Sequence, residues 1–462
     1  MRRERDSIGF LDIPDGAFYG IHTARALDNF GPGSEQHDPL FVTAYLQVKK
    51  AAALANGELG FLEREKADAI VSAIDNLIGE KAFDDIVVNP LSGGAGTSLN
   101  MNVNEVVANR ALVRAGRPPG DYGYIHPLDH VNLHQSTNDT YPSAFRIAVL
   151  MHLGRLEGEL ASLQEAFQEK EREYAGIVKL GRTELQDALP MTVGMQFSAN
   201  AEAVARDRWR IFKARERIKV LNIGGTAIGT GFGAPQRYIF LVIEKLRGIT
   251  GLNIARAENL VEATQNLDAV VEVSGLMKTL AVNLLKISGD IRLLSSGPAG
   301  GLGEIVLEPL QEGSSIMPGK INPVMAEFVS QTALLVMAHD SAISHASALG
   351  SLELNQFYPL VATLMLGSLQ KLSRAVTGLD RKVIRTLRAD PDRIGAHLNR
   401  SVALLTYLSA YIGHDRAAEV YLKMKETGAG AKEIIVEKGL LSSQQFDDLT
   451  APGRIGMTGD RA

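Results

Sequence analysis

Eleven consecutive residues, Gly313-Ser314-Ser315-Ile316-Met317-Pro318-Gly319-Lys320-Ile321-Asn322-Pro323, carry two adjacent hydroxyls, a lysine and an amide on a stretch punctuated by glycine and proline. The apolar-rich stretch Val324 to His339 follows directly. Asn322 and Pro323 suit the N-cap and first helical position, so the loop is expected to end in a helix N-terminus. A serine on such a loop, with a cation beside it and a helix N-terminus behind it, suits chemistry on a carboxylate. The same residue types also make ordinary caps, and spacing alone leaves both readings open.

Three other segments share this character. Gly93-Gly94-Ala95-Gly96-Thr97-Ser98 precedes Asn100-Met101-Asn102-Val103-Asn104-Glu105, which runs into an expected helix. Its glycines could cradle a phosphate, but no Gly-Lys-Ser/Thr follows, which argues against a Walker loop. Asp129-His130-Val131-Asn132 continues to Gln135-Ser136-Thr137-Asn138-Asp139, ahead of a long helical pattern. Gly181-Arg182-Thr183-Glu184-Leu185-Gln186-Asp187 is the third. Each is read as small hydroxyls and amides near a helix start, where free N–H groups and the helix dipole favour anions.

The elements that must position these segments are mostly helical. Val273, Leu276, Leu280, Leu284, Ile287, Ile291 and Leu294 recur at steps of three and four, as do Leu150, Leu153, Leu156, Leu160, Leu163 and Phe167. Each set marks one apolar face of a long helix. Helices of this length need partners to bury that face, so a bundle is expected. Three regions follow: a mixed N-terminal domain over 1–138, a central helical bundle over 139–392, and a small helical C-terminal domain over 393–462. In the last, Ser442-x-x-Gln445 is a capping-box pattern and Gly428 and Gly430 mark breaks between helices.

Composition narrows the function class. The chain has 462 residues, 45% hydrophobic and 22% charged, with a net charge of −5, which excludes a disordered chain. No basic tract interleaved with aromatics points to nucleic acid. With no cysteine there is no disulfide, thiolate nucleophile or cysteine-bound zinc. No apolar run reaches the length of a membrane span and no signal-peptide core follows Met1-Arg2-Arg3, so a cytoplasmic location is expected. No strand–Gly-x-Gly-x-x-Gly–helix pattern supports dinucleotide binding.

The literal strings go further. Ser-Ser-Ile-Met-Pro-Gly-Lys-x-Asn-Pro resembles the signature loop of the aspartase/fumarase superfamily, and the other three segments match that family in its order. Gln135-Ser136-Thr137-Asn138-Asp139 is similar to the aspartase form, since fumarases usually carry Ser-Ser-Asn-Asp there. Tyr19-Gly20-Ile21-His22-Thr23, Arg25 and Thr427 to Leu441 also look aspartase-like, so the resemblance covers nearly the whole chain. It implies a mainly α, three-domain fold whose long helices assemble into the helical core of a homotetramer, with sites shared between subunits. It also implies Ser314 as catalytic base, acting as an alkoxide. Thr97, Ser136, Thr137, Asn138, Thr183, Glu184, Ser315, Lys320 and Asn322 would bind substrate, with no metal or organic cofactor.

The reaction so implied is conversion of L-aspartate to fumarate and ammonia. Removing a proton beside a carboxylate makes a doubly negative aci-carboxylate, which needs fixed hydrogen-bond donors where the charge develops. Thr97, Ser136, Thr137 and Ser315 are such donors, and Lys320 and Asn322 would hold the other carboxylate. Two departures bear on the substrate. Glu184 stands where glutamine or histidine is expected, and the family places that position near Glu353; two facing carboxylates would share a proton or a cation. Ala299 follows Ser295-Ser296-Gly297-Pro298 where arginine is usual. A lyase releasing a larger amine, such as a guanidinium or trimethylammonium group, is therefore an alternative, with class II fumarate hydratase and a crystallin-like scaffold behind it. His126 and His130 have metal-like spacing, but Pro127 spoils their helical presentation.

Overall fold

The computed structural model describes residues 1–33 and 36–456, and helices make up 63% of the protein. Five helices dominate: Thr137–Glu173, Val193–Ile218, Asp268–Leu294, Val324–Ala348 and Tyr358–Leu379. Strands among the described residues form only two-stranded sheets, too small to organise a core. The stripe Leu150 to Phe167 is buried at all six positions expected from its spacing. In the second stripe Leu276 is half-buried and Met277 takes its place in the core.

Two compact units are resolved by their internal packing. One comprises Met1–Glu157, Arg210–Thr279 and Leu335–Leu372. Its core is aromatic, with Phe41, Tyr45, Tyr141, Phe145 and Tyr358 buried and Phe41 edge-on to Tyr141 at 5.1 Å. Helix Pro39–Glu58 enters this core under an Asp38 cap, with Pro39 at its first position. Helix Thr97–Arg114 begins at Gly96, whose φ of +93° is left-handed. A β-carbon there would lie 2.2 Å from the Tyr141 ring, so glycine serves both backbone and packing.

The polar face of that helix holds the unit together. Glu105 accepts from the N–H groups of Gly20, His22 and Thr23 and from the Thr23 hydroxyl, and so caps helix Ile21–Phe30 from outside. Asn102 bridges Val87 N and Asp85 O, while Asn109 bridges Phe18 O and Gly120 N. Arg25 is held by both oxygens of Asp6.

The other unit comprises Gly158–Trp209, Leu280–Leu334 and Ser373–Ala462. Its terminal helices pack Leu398, Leu405, Leu408, Ile412, Ile434, Ile435 and Phe446 around Leu180. The capping box at Ser442 and Gln445 is formed, and Gly428, at φ +73°, closes helix His414–Thr427. One expectation fails here. Gly181–Asp187 is not near a helix start: it lies in an antiparallel hairpin of Val178–Thr183 and Gln186–Thr192. The turn places two non-glycine residues in the left-handed region, Glu184 at φ 53° and Leu185 at φ 66°, without the Asn-Gly signal by which such turns are read.

Candidate active site

The candidate residues fall into two groups, one in each unit. In the first unit, Thr97, Ser136 and Thr137 line a cavity of about 490 Å³ together with Asn100, Asn132, His134, Gln135, Thr226 and Phe232. Thr97 and Thr137 each open a helix, and Ser136 caps the second, its hydroxyl accepting from Asn138 N and its carbonyl from Asp139 N and Thr140 N. Asn138 is spent differently: its Nδ2 donates to Ala227 O at 2.7 Å and its carbonyl accepts from Asn222. It therefore fixes the loop that forms one cavity wall. Asp139 anchors the same loop through the N–H groups of Gly224 and Thr226 and closes back on Ser136 N. Burial pushes its carboxyl up to about 6, against the pull of those three donors.

Beneath this cavity lies a group that the motifs did not single out. Lys49 is fully buried, and burial pulls its ammonium down to about 7, against the attraction of Asp139. Its signal in the sequence is a lysine on the apolar face that Tyr45, Val48 and Ala52 define in helix Pro39–Glu58. Asn100, Asn132 and Gln135 lie in the motif segments, but only the folded chain brings them together on Lys49.

In the second unit, the loop 313–322 is closed on itself. Gly313 N donates to Lys320 O and Asn322 Nδ2 donates to Gly313 O, both at 2.8 Å. Asn322 is thus not the expected N-cap. The helix starts at Val324, and Pro323 O accepts its first bond, because the asparagine side chain is already committed to the loop neck. Ser314 Oγ accepts from the N–H groups of Ile316 at 3.2 Å and Met317 at 3.0 Å. Two backbone donors aimed at one hydroxyl oxygen favour negative charge on it. Ser315 and Lys320 are exposed.

Thr183 and Glu184 are exposed on the hairpin. The hairpin base is pinned by Glu304, which meets Arg182 at 2.6 Å, His397 at 2.9 Å and Lys179 at 3.5 Å. Burial raises the Glu304 carboxyl, but the bonds from Arg182 and His397 and the Lys179 charge outweigh it, so it stays below the ordinary range. Ala299 carries no guanidinium where arginine was expected, and its carbonyl is held by that of Arg393. The Arg393 guanidinium donates to the carbonyls of Pro298, Ala299, Gly301 and Leu302. His126 and His130 turn inward: each Nδ1 accepts backbone N–H groups of the π-helical turn Pro127–Val131 and its cap.

Comparison with known proteins places the chain in a family. A family profile described as lyase matches residues 9–338, and one described as fumarase C C-terminus matches 404–456. Aspartate ammonia-lyase of Helicobacter pylori is 42% identical over 454 residues, which is 98% of this chain and 97% of that protein. Its Escherichia coli counterpart is 42% identical over 452 residues, 97% and 95% of the two chains. A fumarate lyase:delta crystallin from Brucella melitensis, bound to cobalt, superposes with a TM-score of 0.93 at 43% identity, covering 99% of this chain and 100% of that one. A class II fumarase from Schistosoma mansoni gives 0.89 at 32% identity, with 99% of both chains covered.

Proposed function

The chain belongs to the lyase family of aspartases and class II fumarases, and from that premise we propose that it converts L-aspartate reversibly to fumarate and ammonia. The observation that carries the mechanism is the pair of backbone N–H groups on Ser314 Oγ. As an alkoxide held by those donors, Ser314 takes the proton from the aspartate Cβ. The electron pair moves into the adjacent carboxylate, giving the aci-carboxylate. Its collapse forms the Cα–Cβ double bond and expels ammonia from Cα. Thr97, Ser136, Thr137 and Ser315 donate to the carboxylate that gains charge. Lys320 binds the other carboxylate, Asn322 holds the loop that carries both, and Thr183 and Glu184 face the amine.

A homotetramer with sites shared between subunits is the assembly that accompanies this reading. Exposed apolar residues on the long helices support it: Met195, Trp209 and Phe212, then Val282 and Leu293, then Phe328, Leu334 and Leu335. Among the described residues no helix is long and apolar enough to cross a membrane.

The test is ultraviolet detection of fumarate from purified protein given L-aspartate, with L-malate in a parallel cuvette. Fumarate and ammonia in equal amounts from aspartate alone support the proposal. Product from malate alone would make it a hydratase. Silence with both, in folded protein, would overturn the substrate and favour a lyase for a larger amine.

A further inference from the structure

Lys49 Nζ meets three side-chain amide oxygens: Asn100 Oδ1 at 2.7 Å, Asn132 Oδ1 at 2.9 Å and Gln135 Oε1 at 3.0 Å. An ammonium has three protons and no lone pair, so each amide must present its oxygen to it. That choice fixes the other end of each amide. Asn100 Nδ2 is left facing Thr137 Oγ1 at 3.1 Å, so the threonine oxygen accepts from inside the protein. Its own proton is then free to donate into the cavity that Thr137 lines. The chain of donors runs one way, from Lys49 through Asn100 and Thr137 to whatever occupies the cavity.

The Nζ contacts are all neutral amides. No ion pair joins Lys49 among the described residues. Asp139, whose charge reaches it, spends its oxygens on the N–H groups of Ser136, Gly224 and Thr226. A buried cation held only by neutral amides is costly for folding. Beneath a site where negative charge grows, the same cation is an asset.

We propose that Lys49 is a positioning residue of the elimination reaction, setting the donor direction of Asn100 and Thr137 through its three amide contacts and, as the ammonium, placing a proton-bearing cation under the carboxylate that becomes doubly negative. This rests on the β-elimination reading. Its signature is differential. The second negative charge exists only in the aci-carboxylate, so loss of Lys49 weakens that species more than the bound substrate.

The test compares wild-type protein with Lys49→Met on whichever amine substrate the wild type turns over, so failure of the aspartate assignment and failure of this inference remain separate. Succinate serves as the ground-state analogue. A substrate analogue with a nitronate in place of the reacting carboxylate mimics the aci-carboxylate. The expected result is kcat lowered at least about tenfold with KM changed less than about threefold, nitronate affinity falling in step with kcat, and succinate affinity preserved. Near-normal kcat and nitronate affinity in folded Lys49→Met would overturn the proposal. If that variant does not fold, Asn100→Asp serves instead. It gives the ammonium a carboxylate partner and removes the donor to Thr137, so the same kinetic signature is expected, and wild-type kinetics there would refute the relay.

Discussion

Replacing Ser314 by alanine deletes the one oxygen on which two backbone N–H groups of the loop converge. A hydrogen bond to a charged acceptor contributes about 1.5–3 kcal/mol, against about 1 kcal/mol for a neutral one. Two such bonds therefore favour the alkoxide over the hydroxyl by roughly 1–4 kcal/mol, or about 1–3 pKa units at 1.36 kcal/mol each. The variant loses that tuned base altogether. General-base catalysis contributes about 10²- to 10⁴-fold, so the barrier should rise by about 3–5 kcal/mol. Stability should scarcely move, because Ser314 is half-buried on a loop and neutral hydrogen bonds of this kind contribute about 1 kcal/mol or less each. The assay has two readings: kcat for fumarate formation from L-aspartate, and exchange of the aspartate Cβ proton with deuterated solvent followed by proton resonance. Both should collapse together while the melting transition stays in place. Turnover within tenfold of wild type, or exchange that survives the substitution, would remove Ser314 from the base role.

Gly313→Ala should impair turnover about as severely, since a β-carbon at that neck lies 2.5 Å from Lys320 O and forces the loop apart; an unchanged kcat would mean that loop closure is unnecessary. Leu185→Gly should stabilise the protein by about 1 kcal/mol by relieving left-handed backbone at the hairpin turn, read as a shift in denaturant midpoint at constant slope. Glu105 titrates at about 7 in the folded protein because burial outweighs its four hydrogen bonds, against 4.5 ordinarily. The folded state therefore holds the extra proton between those values, and stability should fall by about 3 kcal/mol as pH rises from 4.5 to 7. Glu105→Gln should remove that slope in denaturation curves taken across the window, and a slope that persists would assign it to another group.

The long helices were legible because a step of three or four between leucines is a local property of the chain. Burial at Leu150, Leu153, Leu156, Leu160, Leu163 and Phe167 follows from spacing alone. The caps at Ser442 and Gly428 were legible for the same reason, as each is satisfied by neighbours a few residues away. Literal motif strings likewise carried the family, since four segments in fixed order do not depend on packing. The hairpin at 178–192 was missed because its turn has neither glycine nor asparagine at the two left-handed positions, so no local signal marks it. Asn322 was misread for a related reason. An N-cap and a loop clasp have the same sequence appearance, and the carbonyl of Gly313, nine residues away, decides between them.

The sequence by itself thus determined the family, the helical framework and the residue types available for proton abstraction beside a carboxylate. Tertiary structure alone decided which way those groups point. Asn100, Asn132 and Gln135 come from two separate segments, and their amides are oriented by an ammonium on a third. Arg393 clasps the carbonyls around Ala299 from 94 residues along the chain. Hydrogen-bond direction acts through space over a few ångströms, and no periodicity along a chain encodes which distant residues will be brought that close.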